Sequence, residues 1–194
     1  RWMKTEGLFI RHIIRLRDCP RVMKRRIIML DPIHIDELIL NALKEDMPMG
    51  DITTDNIIDP SSVSKGVFIA KASGIISGLD VAERVFRLLD KNIVFKKNIK
   101  DGDRVSFGDV IAEVEGSTHA ILKGERTALN LLQRMSGIST RTAEFCGKVK
   151  DLPVKIVDTR KTAPGLRYLD KYAVRMGGGE NHRFCLSDGV LIKD

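Results

Sequence analysis

Residues 118–150 carry the longest helical pattern in the chain, and it divides everything else. Ile121, Ala128, Leu129, Leu132 and Met135 form one apolar stripe at helical spacing. Gly137 is expected to break the pattern, with a second helix continuing to Lys150. A one-sided segment of this length needs apolar partners from the rest of the chain. Before it lie short strand signals and two helix signals. After it come a strand at Val154–Val157, a helical pattern at Leu166–Met176, a glycine loop at Gly177–Gly179 and a final strand at Val190–Ile192. A strand–helix–strand order of this kind reads as the beginning of a parallel α/β unit.

The earlier elements follow from local signals. Asp31-Pro32 reads as an N-cap and first helical residue. Ile35, Leu38, Ile39, Ala42 and Leu43 then give one apolar helix face. Residues 46–62 are rich in Asp, Pro, Gly, Ser and Thr and are expected to form a long loop. Val67–Ile69 and Ile75-Ile76 read as strands. Asp80 and Glu83 suggest a capping box for a helix carrying Val81, Val85, Leu88 and Leu89. Residues 92–116 read as a small β region punctuated by Asp101-Gly102 and Gly108-Asp109.

Charge narrows the function classes. The chain has 194 residues, with 33 Lys+Arg against 26 Asp+Glu, a formal net charge of +7. Such a balance invites a nucleic-acid partner. However, residues 1–28 hold nine of the cations and only two of the anions, so the remainder is neutral at 24 against 24. No nucleic-acid partner is expected for the folded part. Residues 1–28 read as a basic extension outside the fold, with Met29 just before the first helix signal. A transit peptide or a nucleic-acid or membrane-surface arm are the other readings. Apolar runs are too short to span a membrane. Cys19, Cys146 and Cys185 match neither a zinc spacing nor a disulfide framework, which fits a cytoplasmic setting.

Four segments could carry chemistry. Asp158-Thr159-Arg160-Lys161-Thr162 follows a strand, where α/β folds collect reactive groups, and its paired cations suit a phosphate or carboxylate. Gly177-Gly178-Gly179-Glu180-Asn181-His182-Arg183 could bring backbone amides close to an anion and add two side-chain donors. Lys193 follows Val190–Ile192 as Arg160 follows its own strand. Arg126 and Asn130, in Glu125–Asn130, share a helix face at i,i+4. As a solvated loop, a flexible connector, a strand-end lysine and a charged helix boundary, each has an ordinary structural reading. Their conjunction favours a small polyanionic substrate.

These segments, with Glu45-Asp46 and Gly50-Asp51-Ile52-Thr53-Thr54, resemble the quinolinate phosphoribosyltransferase family, in the same order and spacing. The resemblance runs from about residue 31, roughly 85% of the chain. It implies an α/β protein: a sandwich-like α+β domain at 29–117, a helical connection at 118–150, and the first strands of an incomplete α/β barrel at 151–194. It implies a pentosyltransferase of NAD biosynthesis that joins quinolinate to phosphoribosyl pyrophosphate, releasing carbon dioxide and pyrophosphate and forming nicotinate mononucleotide. Substrate would be bound by Arg126, Thr159, Arg160, Lys161, His182, Arg183 and Lys193. Arg160, His182, Arg183 and Lys193 would hold the carboxylates and ring, and Lys161 would face the phosphates. Lys161 and Lys193 are the expected catalytic residues. Arg126 would enter a neighbouring subunit's site in a homodimer or higher assembly.

The family also implies Mg²⁺, with no metal ligand expected before Asp194. Only 42 residues follow Leu152, whereas a barrel needs on the order of 200. The chain is therefore expected to be C-terminally truncated and weak or inactive alone. Other readings are a related transferase for another pyridine or a molybdenum-linked substrate, a non-catalytic remnant, and a lipoyl-like binding module suggested by Asp101–Val105 and Gly108–Ile111.

Overall fold

The computed structural model describes residues 30–192. The expectations placed on residues 1–28, Met29 and Lys193 lie outside the described residues.

Helix α1 (Pro32–Asp46) begins where Asp31 accepts a hydrogen bond from the Ile33 amide at 3.0 Å. Its buried face is Ile35, Ile39 and Leu43, as the periodicity predicts. The expected long loop at 46–62 contains a short helix, α2 (Ile52–Ile57). Asp51 builds it by accepting from the amides of Thr53 and Thr54, each at 3.1 Å. Only Thr54 is buried, so no apolar period announced this helix.

Strands β1 (Val63–Ile69), β2 (Gly74–Ile75), β3 (Val94–Lys97), β4 (Arg104–Val105) and β5 (Val110–Ser117) form two antiparallel sheets. One has the order β1-β5-β3 and the other pairs β2 with β4. Helix α3 (Leu79–Leu89) packs against the larger sheet through Phe86. Its ring meets Phe68 and Phe95 with centroids 6.0 and 6.1 Å away. Such offset and edge contacts add to simple area burial.

The pattern at 118–150 folds as one helix, α4 (Thr118–Lys148), rather than two. Gly137 does not break it. The residue is exposed, and glycine inside a helix costs only about 1 kcal/mol. The burial of Leu131, Leu132, Met135 and Ser139 on the opposite face outweighs that cost. The same helix packs against α1, α3, β1, β2 and β5, and then against α5 (Arg167–Met176). Gly124 allows α3 to approach, because a Cβ there would lie 2.8 Å from the Phe86 ring.

Asp80 and Glu83 do not form a capping box. Both pair with Lys97, at 2.5 and 2.6 Å. The N-terminus of α3 is instead capped from a distance by Asp101, which accepts from the amides of Gly78 and Leu79 at 2.8 and 3.0 Å. Asp101 also accepts from the Tyr172 hydroxyl of α5 at 2.9 Å. Burial pushes the Asp101 carboxyl up, against the opposing pull of its three donors. The Tyr172 phenol is pushed far above its usual range, first by burial and then by the Asp101 charge.

The architecture is α/β, with α1 to α3 and the two small sheets preceding α4 and α5 and no closed barrel among the described residues. The expected strand at Val154–Val157 is not formed: the segment is extended, and Val157 alone makes an isolated parallel bridge, to Glu180. The expected final strand at Val190–Ile192 is not formed. Val190 and Ile192 are 93% and 87% exposed, and no neighbouring strand pairs with them among the described residues.

Replacing Asp101 with Ala removes a helix cap and leaves the half-buried Tyr172 hydroxyl without its acceptor. The expected loss is about 2–3 kcal/mol of unfolding free energy by urea titration, with D101N retaining part of it. A pH effect belongs to the sheet. Glu113 accepts from Lys65 at 2.7 Å and Lys96 at 3.4 Å, which with Asn98 lowers its pKa from 4.5 to about 2. A depressed carboxyl stabilises the fold above its unfolded pKa, and that contribution fades as the pH falls through the folded value. The difference in melting temperature between wild type and E113Q should therefore be present at pH 6 and shrink progressively between about pH 4.5 and 2.

Candidate active site

Two extended segments lie side by side after α4. Val157 bridges Glu180 in parallel, the Asp158 amide donates to the Glu180 carbonyl at 3.0 Å, and the Glu180 amide donates to the Ile156 carbonyl at 2.9 Å. The parallel pairing sets the residues after Val157 beside those after Glu180. It thus brings Thr159, Arg160 and Lys161 and the following pair His182 and Arg183 to the same end of two neighbouring segments. Carboxyl ends of parallel strands are where α/β proteins place their ligands.

A buried polar cluster fixes this end. Asp158 accepts from the Lys171 ammonium, from Asn181 Nδ2 at 2.5 Å and from the His182 amide at 2.8 Å. Lys171 is fully buried on α5 and also donates to the His182 carbonyl at 3.1 Å. Asn181 completes the cluster by donating to the Lys171 carbonyl at 2.8 Å. Every donor converges on the joint between the two segments.

The side chains beyond the joint are differently placed. Thr159 is exposed, and its hydroxyl accepts from the Lys161 amide at 3.0 Å. Arg160 is half-buried, and its buried Nε has no hydrogen-bond partner among the described residues. Lys161 is exposed. His182 is half-buried, as is Arg183, whose Nη1 donates to the Gly189 carbonyl at 3.1 Å. Among the described residues, neither His182 nor any of the three cations Arg160, Lys161 and Arg183 pairs with a carboxylate. By contrast, Arg84, Lys97, Lys123, Arg134 and Lys171 all do. Arg126 stands on the exposed surface of α4, and no hydrogen bond or ion pair joins it to this group among the described residues. Its neighbours Thr127, Asn130 and Leu131 border a shallow groove with Ala42, Glu45 and Asp46 of α1. A second shallow cavity of about 160 Å³, bordered by Cys146, Leu152, Ile156 and Gly178, takes in none of these cations.

The glycine loop does not make the expected anion cradle. Its amides are already used: Gly177 donates to Ala173, Gly178 to Arg175 and Gly179 to Val174, at 3.1, 2.9 and 3.0 Å. They close the C-terminus of α5 instead. Gly177 also permits close helix packing, because a Cβ there would lie 2.3 Å from the Ser139 carbonyl oxygen. Ser139 reciprocates by donating to the Ala173 carbonyl at 2.7 Å.

Several residues of this site lay outside the sequence reading. Lys171 and Asp170 are among them. Asp170 is in fact buried and held by Arg134 of α4 through two 2.9 Å bonds. Arg167 donates to Thr162 at 3.1 Å and to the Phe184 carbonyl at 3.4 Å, joining the two loops. Four charged residues in the ten of α5 could have hinted that one face is polar and inward. No group of three or more His, Cys, Asp or Glu among the described residues is placed to hold a metal.

The comparisons with known proteins agree with the geometry. Residues 51–136 match the N-terminal domain of quinolinate phosphoribosyl transferase, and residues 138–194 match the C-terminal domain of the same enzyme. The chain belongs to the quinolinate phosphoribosyltransferase family. A probable nicotinate-nucleotide pyrophosphorylase (carboxylating) of Bacillus subtilis is 46% identical over 165 residues, 85% of this chain and 57% of that protein. A tobacco (Nicotiana tabacum) quinolinate phosphoribosyltransferase (decarboxylating) is 44% identical over 154 residues, 79% of this chain and 43% of that protein. The crystal structure of NadC from Streptococcus pyogenes superposes with a TM-score of 0.83 at 45% identity, covering 86% of this chain and 59% of that one. The chain thus spans 43–59% of the length of these relatives.

Gly177→Ala should force α5 away from α4 and lower stability by about 1–3 kcal/mol, read from the urea midpoint. Gly137→Ala, whose added methyl group meets nothing within 4 Å, should be neutral or slightly stabilising in the same titration.

Proposed function

We propose that this chain supplies the carboxylate- and phosphate-binding part of a phosphoribosyltransferase that converts quinolinate and phosphoribosyl pyrophosphate to nicotinate mononucleotide, carbon dioxide and pyrophosphate, a step of NAD biosynthesis. The observation that carries this reading is the set of cations at the joined segment ends, unpaired with carboxylates among the described residues. A site that leaves an arginine nitrogen buried and without a partner is prepared for an anion, since such a group is costly to leave unsatisfied. The names of the relatives support the same substrates.

In this reading Arg160, His182 and Arg183 receive the two carboxylates of quinolinate, where guanidinium forks match a planar carboxylate in bidentate fashion. Thr159 shapes the loop by holding the Lys161 amide. Lys161, which is exposed, faces the phosphates as a point charge. Lys193, which lies outside the described residues, joins Lys161 as a catalytic residue. As the bond from ribose C1 to pyrophosphate breaks, positive charge builds on the ribose, and it is quenched when the ring nitrogen bonds to C1 and pyrophosphate departs. The ring carbon that loses carbon dioxide keeps the electron pair, which fixed cations stabilise until that carbon takes up a proton from solvent. Arg126, exposed on α4, is free to reach a second copy of the chain, so the working unit is a homodimer. Mg²⁺ is expected to accompany the pyrophosphate-bearing substrate.

Calorimetric titration tests the binding roles. R160A should bind quinolinate at least tenfold more weakly while its affinity for phosphoribosyl pyrophosphate changes less than threefold. K161A should show the opposite pattern. Equal effects of both variants on both ligands would remove the division of roles.

A further inference from the structure

The most deeply buried charge near the site is not one of the cations offered to ligand. Lys171 has no exposed surface, yet its ammonium is placed between the two segments that carry Arg160 and His182. A buried ion pair is weak evidence of stability, because an apolar pair of the same shape often does as well. Retaining a charge there needs another reason, and the partners supply one.

His182 is held from both sides of its peptide. Its amide donates to Asp158, and its carbonyl accepts from Lys171. Asp158 and Lys171 are themselves paired, so the backbone of His182 closes a ring with the end of the first segment. Asn181, one residue earlier, is tied to the same carboxylate and to the Lys171 carbonyl. The side chains that leave this ring, His182 and Arg183 on one segment and Arg160 two residues past Asp158 on the other, make no such buried contacts. The backbone is fixed tightly where the side chains are left open.

We propose that Lys171 is a positioning residue: through Asp158 and the His182 carbonyl it sets the spacing between Arg160 and the His182-Arg183 pair, and so selects a rigid planar dicarboxylate over other anions. Lys171 touches no ligand. It acts by holding two donor groups at one separation, which matters for a ligand whose two carboxylates are fixed on a ring and matters little for a flexible phosphate chain. Preorganisation of this kind lowers the cost of binding without adding a contact. The proposal rests on the functional reading above for the identity of the dicarboxylate.

Two measurements on the chain test it: hydrogen exchange at the His182 amide, and titration with quinolinate and with phosphoribosyl pyrophosphate. K171M keeps the stem and removes the ammonium. Should K171M fail to fold by circular dichroism, D158N/K171M, which leaves no lone buried charge, takes its place. The expected result is exchange at least tenfold faster at His182 with the Gly177 amide unchanged. Quinolinate should bind at least tenfold more weakly, with phosphoribosyl pyrophosphate within threefold of wild type. Equal weakening of both ligands with unchanged His182 exchange would mark a general loss of stability and overturn the proposal, as would unchanged binding of both. If wild type binds no quinolinate, the functional reading fails on its own account. The clamp is then judged by exchange: selective acceleration at His182 upholds it, and unchanged exchange overturns it.

Discussion

One helix of 31 residues organises the described structure. At about 1.5 Å per residue it is roughly 46 Å long, enough to reach from the antiparallel sheet to the parallel segments. Its first half buries Ile121, Ala128 and Leu131 beside the sheet and α3, and its second half takes up α5 through Ser139 and Thr142. Between them Arg134 grips Asp170. A helix of this length made of two independent pieces would leave the segment ends free to turn against the sheet. As one rod it sets their orientation.

Most of the site's framework is polar and buried, which is the costly way to build. Asp158, Lys171, Asn181 and the His182 backbone hold one another with several short bonds, with only the Asn181 Oδ1 of the cluster left buried and without a partner among the described residues. Converging bonds of this kind favour one geometry. The surrounding cations then project from a fixed base. Rigidity below and open valences above are what a receptor for a small, multiply charged ligand requires.

Much of this was legible in the sequence because it followed from local rules. The Asp31 cap, the apolar face of α1 and the strands around Val67 and Val110 each rest on a few neighbouring residues. The misreadings came where distant residues decide the outcome. Gly137 looked like a helix break because the burial holding α4 together lies on its other face. Asp80 and Glu83 had the right spacing for a cap, but Lys97, seventeen and fourteen positions away, captured both. The three glycines looked like a ligand loop, and their amides and bare Cα atoms serve α5 and α4 instead. Lys171 could not be told from a solvated lysine, since nothing in its neighbours states that Asp158 folds over it.

The Asp101 carboxylate ends a helix in the sheet layer and holds a phenol in the segment layer at once. The seam continues past α5: the Ala163 amide donates to Asp170, and Arg167 donates to Thr162 and to the Phe184 carbonyl, so the loops that carry Arg160 and Arg183 are moored to the helix that Asp101 moors to the sheet layer.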